Sequence, residues 1–387
     1  GALLAPTDLL ARQHAATLGE LLDELGLPVT ILTGSLSGSG RRKALDAIAS
    51  GQAGVVVGTH ALIQEAVEFR DLALAVVDEQ HRFGVDQRAA LEAKGGRRTP
   101  HVLLMTATPI PRTLGQVLYA DLDVSSLRTP PEGRRPIATA IRRPDELDRL
   151  WAFVRREAAA GHRTFVVVPL IEDDAEGETG DPVATAEAEA ERLRELLAPL
   201  RVGLVHGRLR PAERDAEMAR FRDGELDVLV GTTVVEVGVD VPAATVMVVE
   251  EADRFGLAQL HQLRGRVGRG TAPSYCVLVS DAPEGSVGWA RLRAVEELRD
   301  GFELAERDFE LRREGDVLGL AQSGLPRLRV ASLGRAAHRD LAVRARGHAE
   351  TLVDRTGRLR PGVELLRVEL ERGWLARVAE AEPESGV

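Results

Sequence analysis

The sequence predicts an α/β protein: two successive parallel sheets, then a mostly helical stretch. Three observations carry this. Short apolar runs such as Leu72–Val77 and Thr164–Ile171 alternate with segments of helical period, the pattern of strand–helix–strand crossovers. The alternation breaks once, at Thr129-Pro130-Pro131-Glu132-Gly133-Arg134-Arg135-Pro136, where prolines and a glycine read as an interdomain linker. It stops near Glu284, and the remainder is arginine-rich and helical in pattern. The expected division is 1–128, a linker at 129–136, 137–283, and 284–387.

In order, Ala2–Ala5 is the end of a strand. Pro6-Thr7 opens a helix, with Thr7 suited to cap it and Asp8 at its positive end. Leu10, Leu18, Leu21, Leu22 and Leu25 recur at helical spacing and are expected to form its buried stripe. Val29–Leu32 is a strand running into Thr33-Gly34-Ser35. A helix over Gly40–Ala49 is stopped by Gly51, and the strand Val55–Val57 ends in Gly58-Thr59-His60. After Leu72–Val77 come a helix through Arg88–Glu92 and the strand Val102–Met105, which ends in Thr106-Ala107-Thr108-Pro109.

Beyond the linker, Pro144–Ala160 is a helix and Thr164–Ile171 a long strand. The acidic loop Glu172–Pro182 leads to a helix over Ala184–Leu197 and a strand over Val202–Val205. The helix Pro211–Arg222 has proline near its first position and Gly224 past its end, the expected asymmetry. Val228–Val230 and Val246–Val249 are strands, Gln259–Leu263 a helix and Tyr275–Val279 the last strand. Trp289–Arg299 and Phe302–Leu311 read as two helices around Asp300-Gly301. No solenoid-type repeat is present; the two α/β units are alike in plan.

Composition narrows the class. No apolar run approaches the roughly 18 residues needed to span a membrane, and no secretory leader pattern is visible. The single cysteine, Cys276, excludes an internal disulfide and a cysteine-built zinc site. A cytoplasmic protein is the plain expectation. The net charge of −10 argues mildly against a nucleic-acid partner, but the charge is uneven. Acids crowd Glu172–Glu195, while arginines cluster at Arg264, Arg266 and Arg269 and through Arg327–Arg346.

The chemistry is concentrated at strand ends. Val76-Val77-Asp78-Glu79-Gln80-His81-Arg82-Phe83-Gly84 is an apolar strand ending in two carboxylates. In a parallel sheet that is the ligand end, and two acids there suit Mg²⁺ on phosphates and an oriented water. One strand along, Thr106 and Thr108 offer hydroxyls that can hydrogen-bond those carboxylates. In the second unit Arg264, Arg266 and Arg269 alternate with glycines and can reach a phosphate on a facing domain. Thr232-Thr233 through Gly238 and Asp240 to Pro242 follow the Val228–Val230 strand, where hydroxyls suit a nucleic-acid backbone and Asp240 a nucleotide. Thr7, Thr33 with Gly34, and Thr59 with His60 end three strands of the first unit and suit phosphate contacts.

The ordered set resembles superfamily 2 helicases, and among them the RecG-type branch-migration helicases. The residues that carry the likeness are Ala5-Pro6-Thr7 through Gln13-His14, Thr33–Ser35, Gly58 through Gln64, Asp78–Gly84, Met105–Leu114, Thr232–Pro242 and Gln259–Gly270. Asp300-Gly301-Phe302 and Gln322–Pro326 resemble that family's helical-hairpin coupling element. The transcription-repair coupling factors share many of these motifs; His81 and His261 look more RecG-like.

The resemblance implies two RecA-like domains, the first incomplete, a helical hairpin, and an ATP-driven motor on double-stranded DNA. ATP with Mg²⁺ is the implied cofactor pair, and forks and Holliday junctions in recombination and repair are the implied substrates. A monomer in a bacterial cytoplasm, at the nucleoid, is implied, with single-stranded DNA-binding protein as a further partner. By motif, Asp78 would hold Mg²⁺ with Glu79, which would also activate water. Arg266 and Arg269 would touch ATP phosphates. Gln80, His81, Thr106, Thr108, Gly238, Asp240 and Gln262 would couple the site. Pro6, Thr7, Gln13, Thr33, Gly34, Thr59, His60, Thr232 and Thr233 would meet DNA, and Arg291 and Gln322 would serve the hairpin.

The sequence departs from the family's pattern in two places. No Gly-x-x-x-x-Gly-Lys-Ser/Thr phosphate loop occurs, and neither lysine, Lys43 or Lys94, supplies one. The expectation is a C-terminal motor portion without that loop and without the N-terminal wedge domain, inactive alone; a non-catalytic DNA-binding fragment is the alternative. Arg312-Arg313-Glu314-Gly315 also stands where the family has a Gly-Pro-Gly turn.

Overall fold

The computed structural model describes residues 1–80, 83, 90–91, 93–95, 99–107, 123–127, 129, 135–169, 182–236, 240–311, 336–354, 358–370 and 372. His81, Thr108, Gly238, Gln322 and most of the expected Arg88–Glu92 helix lie outside them. By contacts the chain forms two units, Gly1–Pro109 with Thr129–Asp308, and Ile110–Arg128 with Phe309–Val387.

The first unit holds two parallel sheets. Sheet one comprises β1 (Ala2–Leu4), β2 (Val29–Leu32), β3 (Val55–Gly58), β4 (Leu74–Val77) and β5 (His101–Leu104), in the order β2-β3-β1-β4-β5. Its first two helices are α1 (Asp8–Asp23) and α2 (Gly38–Ser50). Thr7 caps α1 as expected, its hydroxyl oxygen accepting from the Leu10 amide at 3.3 Å. The expected leucine stripe holds in part: Leu10 and Leu18 pack against the core beside the buried Ala11 and Ala15, while Leu21 and Leu25 are 65% and 69% exposed. Alanines let the helix axis sit close over the strands, and the leucines at its C-terminal end extend past them.

Sheet two comprises β6 (Ile137–Arg142), β7 (Arg163–Val167), β8 (Val202–Val205), β9 (Val228–Gly231), β10 (Ala244–Val249) and β11 (Ser274–Val279), in the order β6-β11-β10-β7-β9-β8. Its helices are α3 (Leu147–Ala159), α4 (Pro182–Leu196), α5 (Pro211–Asp223) and α6 (Leu257–Arg264). Every residue of β10 is buried, as a central parallel strand covered on both faces requires. Trp151, Val154, Leu193 and Leu197 close one of those faces. The expected helix from Pro144 resolves into a short 3-10 turn, Pro144–Glu146, and then α3. The edge strand β6 is an addition that sequence reading lacked.

Helices α7 (Val287–Glu297) and α8 (Gly301–Leu311) follow, close to the expected pair. The described residues of the second unit include α9 (Ala336–Leu352) and α10 (Glu364–Leu370).

The two sheets are built on one register. A constant shift carries Val29 onto Val202, Gly38 onto Pro211, Gly51 onto Gly224, Val55 onto Val228 and Gly58 onto Gly231, with no insertion or deletion. Gly51 and Gly224 both end their helices in the left-handed region, at φ 77° and 88°. At Gly58 an added Cβ would sit 2.1 Å from the Leu32 carbonyl oxygen; at Gly231 it would sit 3.0 Å from that of Val205. Small residues are needed where each strand passes its neighbour's end. The likeness extends to β4 and β10. Val76-Val77-Asp78-Glu79 corresponds to Val248-Val249-Glu250-Glu251, and Glu79 and Glu251 both take left-handed backbone, at φ 50° and 44°.

Candidate functional site

β4 delivers Asp78 to the C-terminal end of sheet one. Its amide still donates to the Leu4 carbonyl of β1 at 2.9 Å, so the residue is fixed by the sheet itself. Its carboxylate is held twice. Oδ1 accepts from the Glu79 amide at 2.9 Å, and Oδ2 lies 2.8 Å from Nε2 of His14 on α1. Glu79 turns through its left-handed backbone, and its Oε2 accepts from the Ala107 amide at 3.4 Å. The Gln80 amide donates to Met105 O at 2.9 Å. Asp78, Glu79, Gln80 and the exposed Thr106 therefore gather at neighbouring strand ends, as the motifs implied. His14 closes the Ala5–His14 motif, but nothing in its spacing along α1 announces that it reaches β4.

Two adjacent carboxylates at a strand end fit a hard cation that keeps most of its shell as water and phosphate. No cluster of three or more potential metal ligands occurs among the described residues.

The strand-end threonines are in place. Thr33 is fully buried after β2, and Thr59, after β3, is 5% exposed. Thr232, after β9, is 1% exposed and occupies the position equivalent to Thr59. The Oγ1 atoms of Thr59 and Thr232 are buried and have no hydrogen-bond partner in the structure. Gly34 and His60 are exposed; Pro6, Gln13 and Thr233 are partly so. His206 stands after β8 where Thr33 stands after β2. It is 7% exposed with Nδ1 unpartnered, and Nε2 is 3.8 Å from Glu187. Sequence reading missed it; the internal register would have found it.

The arginine motif divides. Arg264 is corrected as a phosphate candidate: it is buried and turned into its own unit. Nη1 donates to Val295 O and Leu298 O at 2.7 and 2.8 Å, and Nη2 to Arg299 O at 3.3 Å and to His261 Nδ1 at 3.1 Å. Burial lowers its pKa. It thus caps the C-terminal end of α7. Arg266 is 8% exposed, just past α6. Arg269 is paired within its own sheet, 3.5 Å from Asp240. Gln262 and Arg291 are partly buried on α6 and α7.

At the end of β10, Glu250 has the place that Asp78 has on β4. Arg192 of α4 lies 3.6 Å from it. Burial, and then the neighbouring Glu189, push its pKa up to about 8.

Comparison with known proteins gives the chain's relatives. A family model described as DEAD/DEAH box helicase matches residues 1–117, and one described as helicase conserved C-terminal domain matches 145–271. The chain is 52% identical over 366 residues to the ATP-dependent DNA helicase RecG of Mycobacterium tuberculosis, covering 89% of this chain and 49% of that protein. To the RecG of Escherichia coli O157:H7 it is 49% identical over 340 residues, covering 86% and 48%. The chain thus spans about half the length of the curated relatives it matches. A solved structure of RecG bound to a three-way DNA junction is similar at TM-score 0.70 and 39% identity, over 89% of this chain and 43% of that one. Yeast Dbp5 bound to RNA shares the fold at TM-score 0.55 and 17% identity, over 78% of this chain and 74% of that one.

Proposed function

The chain belongs to the RecG-type superfamily 2 helicases, and from that premise we propose that it is motor machinery of an ATP-driven translocase on branched double-stranded DNA. The observation that carries this reading is the carboxylate pair Asp78–Glu79 at the end of β4, with Asp78 held from α1, in a chain 52% identical to a RecG. Asp78 and Glu79 would hold Mg²⁺, which neutralises phosphate charge when bound with ATP. Glu79 would orient the attacking water, and Arg266 and Arg269 would stabilise charge on the transferred phosphoryl group.

At the turn after β2 the exposed Gly34 and Ser35, with Thr33 buried beneath them, would take backbone phosphates, and the hydroxyls of Thr59, Thr232 and Thr233 would take others. A buried hydroxyl without a partner costs about 1–3 kcal/mol, and a phosphate oxygen would relieve it at Thr59 and Thr232. His81, Thr108, Gly238 and Gln322 keep the roles that the family implies for them. Stalled forks and Holliday junctions are the substrates proposed, single-stranded DNA-binding protein a further partner, and the bacterial nucleoid the place of action. Among the described residues no helix is long and apolar enough to cross a membrane.

These 387 residues contain no phosphate loop, and hydrolysis by them alone is proposed to be negligible. Fluorescence anisotropy with a three-way junction and a linear duplex of equal length tests the binding half. Tighter junction binding that weakens steeply with salt is expected; equal affinity for the two overturns it. ATP turnover with the junction present tests the other half, and a rate matching a full-length helicase overturns that.

A further inference from the structure

Helix α1 touches both kinds of site in sheet one. Two residues apart on an α-helix means side chains roughly 200° apart, and Arg12 and His14 use that divergence. His14 reaches Asp78 at the end of β4, at 2.8 Å. Arg12 reaches the other way, its Nη2 donating to Ser35 Oγ at 3.0 Å in the turn after β2. Ser35 is in turn 3.4 Å from Thr33 Oγ1. In the order β2-β3-β1-β4-β5 those strands are three spacings apart, roughly 14 Å, and one helix bridges them.

Sheet two has the same plan with a different outcome. There the helix-borne cation is Arg192 on α4, and it lies 3.6 Å from Glu250, the counterpart of Asp78. Arg192 is engaged by its own helix, its Nε donating to Glu189 at 2.7 Å, and the buried Glu250 Oε1 takes no hydrogen bond. An imidazole offers one donor and leaves the carboxylate's other lone pairs available.

We propose that α1 is a link between the two sites: His14 is a positioning residue that sets the Asp78 carboxylate, and nucleic acid at the Thr33–Ser35 turn moves it through Arg12. This rests on the functional reading above, in which that turn meets DNA and Asp78 serves the nucleotide. The helix is braced at its start by the Thr7 cap and on its sheet-facing side by Ala11 and Ala15, so it shifts as a body. Displacement of the turn then reaches Asp78 without any contact between nucleic acid and the carboxylate.

The 387-residue chain, labelled with ¹⁵N at histidine, tests this without ATP turnover. The His14 signal is assigned with His14→Gln. Saturation with a three-way DNA junction is expected to shift the His14 Nε2 resonance. Arg12→Ala, at an exposed contact, is expected to bind the junction and lose that shift. Asp78→Ala is expected to abolish it as well. Anisotropy on the same samples separates the possible failures. A junction that binds without moving His14, or that moves it as much in Arg12→Ala as in the unaltered chain, overturns the link alone. A junction that does not bind overturns the functional reading and the link with it.

Discussion

Arg264 Nη1 lies 2.7 Å from the carbonyl oxygen of Val295 and donates to it, so an arginine of the family's signature motif is spent on closing a neighbouring helix. Arg264 also donates to the carbonyls of Leu298, the C-cap of α7, and Arg299 just beyond, so one guanidinium meets one open carbonyl of the helix and two of the chain leaving it. Arg264→Ala strands these acceptors in a buried place. The expected loss is about 2–4 kcal/mol of unfolding free energy, read as a lower urea midpoint. Arg264→Lys should recover part of it, since a point charge cannot span the carbonyls as a planar fork does. An unchanged midpoint for Arg264→Ala would remove the capping role.

The upward shift of Glu250 sets a pH dependence. Its folded pKa, about 8, exceeds the ordinary 4.5, so between those values the native state holds a proton that the unfolded chain releases. The contribution is fully present below pH 4.5 and is lost as pH rises through 8. Glu250→Gln should flatten stability against pH across that window. The slope removed is at most one proton, about 1.4 kcal/mol per pH unit, and urea unfolding at several pH values measures it.

Thr59→Val and Thr232→Val should separate stability from binding. Each removes a buried hydroxyl without a partner in the structure and keeps the side chain's shape. Stability should rise by about 1 kcal/mol, while junction affinity falls several-fold. A fall in both quantities would mean that the hydroxyls serve the fold.

Asp240 and Arg269 form a pair whose side chains are 55% and 30% exposed. Asp240→Asn should move the urea midpoint by less than about 1 kcal/mol equivalent, as exposed pairs do. A larger loss would make the pair structural and argue against Arg269 as a residue free to leave for a phosphate.

Much of this was legible in the sequence. Strand positions followed from short valine-rich runs, because a parallel strand buried on both faces is apolar throughout; β10 is the clearest case. Edge strand β6 was missed because Ile137–Arg142 mixes alanine, threonine and arginine and follows directly on a proline-rich stretch. The face of α1 was legible in Leu10 and Leu18, which pack beside Ala11 and Ala15, but not at its C-terminal end, where Leu21 and Leu25 are exposed. Asp78 and Glu79 were evident from the abrupt change at a strand end. His14 and Arg264 were not, since their partners lie 64 and 31 residues away and no local period records that.

Glu79 holds its backbone at φ 50°, a conformation that costs a side-chain-bearing residue on the order of 1 kcal/mol. Selection for heat resistance alone would therefore drift toward glycine at this position, gaining melting temperature while discarding the carboxylate proposed to orient water. Glu251, with φ 44° and no chemistry assigned to it, would gain the same way at no such loss. A thermostability library read at both positions would separate the two pressures: glycine rising freely at 251, and rising at 79 only where survival does not depend on turnover.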